Sequence, residues 1–189
     1  MVYLGIGADI GLSSSEADVL KDIGECLALA GWALRTGGRS DVEDKLLDGA
    51  SLVDRTKTEV ITPTPYYRHY TPLTTGVNPV TQLDEKIQSK ALSMLVASPD
   101  KLSYKSIQQR IMLSTAGALI FGPKLNTPVR FAITWIRNED SQNRLKSLDS
   151  PIYSTLADRE IPIFNLGKQE HMTRIESFVK AQMKRVASF

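Results

Sequence analysis

The chain has 189 residues, 42% of them hydrophobic and 23% charged, enough for a packed core without disulfide or metal staples and too apolar for disorder. No apolar run approaches the roughly 18 residues of a membrane span. With 23 basic and 21 acidic residues the formal charge is +2, which argues against a dedicated nucleic-acid binder, and one cysteine and two histidines leave little for a zinc site or an internal disulfide.

The opening MVYLGIGADIG enters an apolar run without a basic segment, so a cytoplasmic protein is expected rather than an exported one. Residues 2–7 read as a buried parallel strand ending in glycine. Ser13 and Glu16 form an S-x-x-E capping box. Beyond it Ala17, Leu20, Ile23, Leu27 and Ala30 recur at helical steps, and Gly31 suits a left-handed helix end. A second strand is expected at 32–36 and is broken by Gly37 and Gly38. Ser40 and Glu43 then repeat the capping-box pattern before a helix with Val42, Leu46, Ala50 and Val53 inward. A third strand at 59–62 stops at Pro63 and Pro65.

Periodicity is lost over 63–79, where Pro63, Pro65, Pro72 and Pro79 are mixed with Tyr66, Tyr67, His69 and Tyr70, and a long functional loop is expected. A helical stretch follows at about 80–96, and another after Ser103, with Ile107, Ile111, Ala118 and Phe121 inward and Gly122-Pro123 as its end. Residues 129–136 form the longest strand candidate. Ser150-Pro151 opens a short helix, because proline fits the first helical position. A fifth strand at 161–166 and a closing helix at 171–186 complete the chain.

Five apolar strands alternating with helices predict an α/β fold: a Rossmann-like, doubly wound, mostly parallel five-stranded sheet with helices on both faces. The expectation is a single domain over 1–189 with a helical insertion at about 80–121.

In such a sheet ligands bind at the carboxyl ends of the strands. Two glycine-bearing turns are expected there. In Gly5-Ile6-Gly7-Ala8-Asp9, close backbone approach would aim N–H groups at a phosphate, and a plain strand-to-helix turn accounts for the same residues. In Thr36-Gly37-Gly38-Arg39-Ser40, Arg39 offers a cation and Ser40 has an N-cap role available. Glu43 can either complete the capping box or accept ribose hydroxyls. Arginine beside a buried parallel sheet needs a partner. For Arg35, Arg110 and Arg137 that partner is either phosphate or a carboxylate such as Asp44 or Asp158.

GIGADI, with the later block AGWALRTGGRSDVEDKLLDGA, resembles the GIGSR and AGxxLRSGGADGAD blocks of the SLOG superfamily, the Rossmann-like domains related to DprA and the LOG enzymes. The resemblance continues at Gly122-Pro123, Thr127 to Phe131, Thr134-Trp135 and IPIFNL, spanning most of residues 2–166. It implies binding of a nucleotide-derived small molecule, of cyclic nucleotide or ADP-ribose type, by a homo-oligomer built through the 80–121 helices. Standalone copies are often encoded by phages, which implies a receptor or sponge in the host cytoplasm that withdraws a defence signal.

The departures bear on catalysis. Ala8 and Asp9 stand where the family has serine and arginine, and Ser40 and Glu43 where it has aspartates. Ser147 to Pro151 replaces the expected Gly-Gly-Thr turn, leaving the helix start at Ser150 for an anion. The PGGxGTxxE motif with which LOG enzymes cleave an N-glycosidic bond is absent. The expected function is therefore non-enzymatic capture, with no cofactor, metal or catalytic residue. The alternatives are a nucleotide N-glycosidase or phosphoribohydrolase using Glu43 or Asp9, and a DprA-like single-strand DNA binder.

Overall fold

The computed structural model describes residues 1–71, 73–74, 76–95, 106–136 and 149–186. Among them, six strands form one parallel sheet: β1 (Val2–Gly5), β2 (Ala33–Thr36), β3 (Thr58–Thr62), β4 (Val77–Pro79), β5 (Ala132–Thr134) and β6 (Ile163–Asn165). Their order is β4-β3-β2-β1-β5-β6. The winding reverses between β1 and β5, where Leu4 pairs with Ala132 and Gly5 with Ile133. The α/β, Rossmann-like expectation holds, with one strand more than the five expected.

The added strand is β4. It lies inside the segment read as loop because three residues, one of them Pro79, carry no usable period. An edge position tolerates proline, whose missing N–H breaks no ladder. Other strands are shorter than their apolar runs. Residues 129–136 contribute only Ala132–Thr134, and Ile161 and Pro162 precede β6.

Six helices complete the described architecture: α1 (Ser14–Leu29), α2 (Asp41–Val53), α3 (Glu85–Ser93), α4 (Ile107–Phe121), α5 (Asp149–Asp158) and α6 (Gln169–Val186). The capping box at Ser13 and Glu16 forms in full. The helix expected over 80–96 is split into a single turn, Val80–Gln82, and α3, which Asp84 caps. The next helix is capped by Ser106, which with Gln109 makes a reciprocal box. No helix among the described residues is long and apolar enough to cross a membrane.

Two apolar layers hold the sheet. On one face Tyr3, Leu34 and Ile133 pack with Leu20, Leu27, Leu46 and Ile175 from α1, α2 and α6. On the other, Leu4, Ile61 and Ala132 pack with Leu119, Ile120, Ile152 and Leu156 from α4 and α5. Full burial of each such aliphatic side chain stabilises the fold by about 1.5–3 kcal/mol. The layers leave the carboxyl ends of the strands to the loops, and the first turn of α2 sits among them.

Candidate functional site

The site is built around one carboxylate. Glu43, in the first turn of α2, has a fully buried side chain. Its Oε1 accepts from the Gly7 N–H at 3.2 Å and from Arg39 Nη2 at 2.8 Å. Its Oε2 accepts from the Thr36 hydroxyl at 2.9 Å, the Gly37 N–H at 2.9 Å and the Arg39 N–H at 3.1 Å. The carboxylate thus ties together the turns after β1 and β2, both expected from sequence as ligand-facing. Five donors converging on one buried anion compensate its desolvation, which an unpaired carboxylate could not survive.

This corrects the reading of Ser40 and Glu43 as a reciprocal capping box. Ser40 does cap α2, its Oγ accepting from the Glu43 N–H at 3.3 Å. The Glu43 side chain turns instead to Gly7, Thr36, Gly37 and Arg39, because the glycine turns bring more donors than the cap backbone can offer. Gly7 is required by closeness: a Cβ there would lie 2.7 Å from Val42 Cβ.

Asp9 and Asp41 make a second link. Asp9 Oδ1 accepts from the Asp41 N–H at 2.8 Å, while Asp41 accepts from the N–H groups of Leu12 and Val42 at 3.2 and 2.9 Å. The exposed Asp9 carboxylate is therefore directed at the start of α2, where the helix dipole favours a negative charge. Among the described residues no group accepts a hydrogen bond from the backbone N–H of Ala8 or Asp9. Those two donors lie just past the point where Ile6 makes its bond to Ile133, at the reversal of strand order.

The loop after β3 folds back onto the β2 turn. Tyr70 is buried; its hydroxyl donates to Asp44 Oδ1 at 2.7 Å and its ring lies against Gly38. Gly38 has φ +58°, and any Cβ there would run into that ring. Arg68 Nη2 lies 3.5 Å from Asp44 and 3.9 Å from Asp9, and His69 Nε2 lies 3.8 Å from Asp44. Burial lifts the Asp44 carboxyl above its ordinary value, against the opposing pull of Tyr70, Arg68 and His69. Burial and the neighbouring Asp44 push the Tyr70 phenol upward as well.

Arg35 lies elsewhere. Its guanidinium is fully buried on the α4 side of the sheet. There Nε meets Glu59 at 2.7 Å, Nη1 donates to the Thr127 carbonyl at 2.9 Å and Nη2 to the Thr127 hydroxyl at 2.9 Å. Its partner is the carboxylate opposite it on the next strand, neither Asp44 nor Asp158. Burial pulls the guanidinium below its usual value, and Glu59 opposes that shift.

Arg110 is exposed in the first turn of α4. Ser150 is the second residue of α5, and Arg137 lies outside the described residues. The structure therefore brings together Gly5, Gly7, Ala8, Asp9, Thr36, Gly37, Gly38, Arg39, Ser40 and Glu43, and sends Arg35 to the core. Of the residues gathered here, sequence reasoning missed Asp41, for which an acid in the first turn of a helix was the available signal. The aromatic loop after β3 reaches the same place through Tyr70 and Arg68. No group of three or more His, Cys, Asp or Glu among the described residues could hold a metal ion.

No protein-family model matches the chain, and no curated protein matches it. Three solved structures of the molybdenum cofactor carrier protein of Chlamydomonas reinhardtii are similar to it, each at 14% identity. Their TM-scores are 0.46, 0.48 and 0.47, covering 96, 100 and 99% of this chain and 85, 99 and 97% of theirs.

Proposed function

We propose that the protein captures a nucleotide-derived small molecule at the carboxyl ends of β1 and β5 and holds it without transforming it. The observation that carries this reading is the pair of N–H groups at Ala8 and Asp9, for which the described residues hold no acceptor, next to the Gly7 N–H that Glu43 clamps at the reversal of strand order. Such donors suit an anionic group, and a crevice outside the strand ends suits the rest of a nucleotide. The second Asp9 oxygen is available to sugar hydroxyls. Tyr66, exposed on the loop beside Arg68, offers a stacking face for a base.

Glu43 is a poor acid or base for a glycosidase, because both its oxygens accept hydrogen bonds from the protein and none of its side chain meets solvent. The resemblance to SLOG domains supports the same reading, with the protein as a cytoplasmic receptor or sponge for a nucleotide signal, in a phage setting a counter to host defence.

Native mass spectrometry of the protein with AMP, ADP-ribose and cyclic dinucleotides tests the reading, followed by heat release and analysis of what was bound. An intact ligand in fixed ratio to protein is the expected result. A released base or sugar phosphate makes the protein an N-glycosidase or phosphoribohydrolase instead. No retention of any of them overturns capture.

A further inference from the structure

The loop after β3 carries a small hairpin. Tyr67 and Tyr70 pair as an antiparallel bridge, the Tyr70 N–H donates to the Tyr67 carbonyl at 3.0 Å, and Arg68 and His69 make the turn between them. Tyr70 anchors it, since its ring is buried and its hydroxyl donates to Asp44. Arg68 has φ +54° at the first central position of the turn, where a positive φ ordinarily selects glycine. An L side chain holds that conformation at a cost in strain, and strain of this kind persists where a side chain is needed at the spot.

Pairing within the protein does not account for the need. Arg35 and Arg39 meet their carboxylates at 2.7 and 2.8 Å, the short distances of strong charge-assisted bonds. Arg68 lies 3.5 Å from Asp44, 3.9 Å from Asp9 and 3.5 Å from the Gly38 carbonyl, with its side chain 33% exposed. Contacts of that length on a partly solvated guanidinium contribute little to stability. Its Nη2 nevertheless sits beside Asp9, whose backbone N–H, like that of Ala8, meets no acceptor among the described residues.

Charge gives the position its weight. Asp9, Asp41 and Asp44 gather around the start of α2, while Arg35 is buried against Glu59 and Arg39 is bound to Glu43. Arg68 is the guanidinium placed to offset those carboxylates for an incoming anion.

We propose that Arg68 is the cation of the ligand site, presenting its guanidinium fork to a phosphate group of the captured molecule opposite the Ala8 and Asp9 N–H groups. A planar fork matches a pair of phosphate oxygens, and the backbone donors take the remaining side. The proposal rests on the capture reading and adds the residue that makes this acidic mouth accept an anion. The strained turn, pinned by Tyr70, is what aims the fork.

Urea unfolding of the native chain, Arg68→Gly and Arg68→Asn, with native mass spectrometry of each against AMP, ADP-ribose and cyclic dinucleotides, tests it. Glycine suits the turn, so Arg68→Gly should keep or raise the urea midpoint while affinity for whichever probe the native protein retains falls about tenfold or more. Asparagine also tolerates a positive φ and leaves the loop less freedom than glycine, so Arg68→Asn should lose as much affinity. A lower midpoint in Arg68→Gly would make the arginine a structural residue and overturn the proposal. Retention that either variant leaves unchanged also overturns it, with capture itself still standing. A native protein that retains none of the probes overturns the capture reading and this proposal together.

Discussion

In the turn after β2, the N–H groups of Gly37 and Arg39 both go to Glu43 and the Tyr70 ring covers Gly38. The turn after β1 yields its Gly7 N–H to the same carboxylate and keeps those of Ala8 and Asp9 without a described acceptor. Two turns that read alike in sequence thus differ in state, one filled by an internal anion and one open. A glycine turn at a strand end is therefore only a potential anion seat. The residue three places beyond the helix cap decides whether the protein fills it itself.

Breaking the clamp should have the largest effect. Glu43→Ala leaves four buried donor groups and the Arg39 guanidinium without their acceptor, and should cost about 3–5 kcal/mol in urea unfolding. If the β2 turn is an anion seat, formate or acetate should recover part of that loss in the variant and do nothing for the native protein. Gly38→Ala should come next, at about 2 kcal/mol or more, because it combines a left-handed backbone with overlap on Tyr70. A smaller loss would mean that the loop after β3 moves aside easily. Ser40→Ala removes the cap of α2 and should cost about 1 kcal/mol, measured the same way.

The remaining two variants sharpen the contrast at the edges of the site. Asp9→Asn keeps an acceptor for the Asp41 N–H and should change stability by less than about 0.5 kcal/mol. It should nonetheless alter ligand retention in native mass spectrometry, as the same replacement deep in the β2 turn could not do without unfolding. The last is a pH effect. Because the Asp44 carboxyl is raised in the folded protein, folding favours its protonated form. Its contribution to stability is then fully present below the ordinary carboxylate value and is lost as pH rises through the raised one. Asp44→Asn should flatten that part of the stability profile, and an unchanged slope would place its origin elsewhere.

Most of the fold could be read along the chain. Capping residues at Ser13 and Ser40 and apolar runs at β1, β2 and β3 are local signals, and each produced its element. β4 escaped because three residues at a sheet edge have no period to detect. The membership of Gly7, Asp9, Gly37 and Glu43 in one cluster was legible from strand ends meeting in a parallel sheet. The direction of the Glu43 side chain was not, since its choice between the cap backbone and the glycine turns depends on Gly7, 36 residues away.

Sequence alone determined the alternation of strands and helices apart from β4, the glycine turns at the ends of β1 and β2, and the starts of α1 and α2, because these follow from steric and hydrogen-bonding preferences over a few residues. Tertiary structure alone decided that Arg35 would face Glu59 and Thr127, that Tyr70 would lie on Gly38, and that one of two glycine turns would be filled from within. Each of these is a competition among partners far apart in the chain. Burial settles such competitions, because every desolvated charge and donor must find the partner that the completed sheet brings within reach.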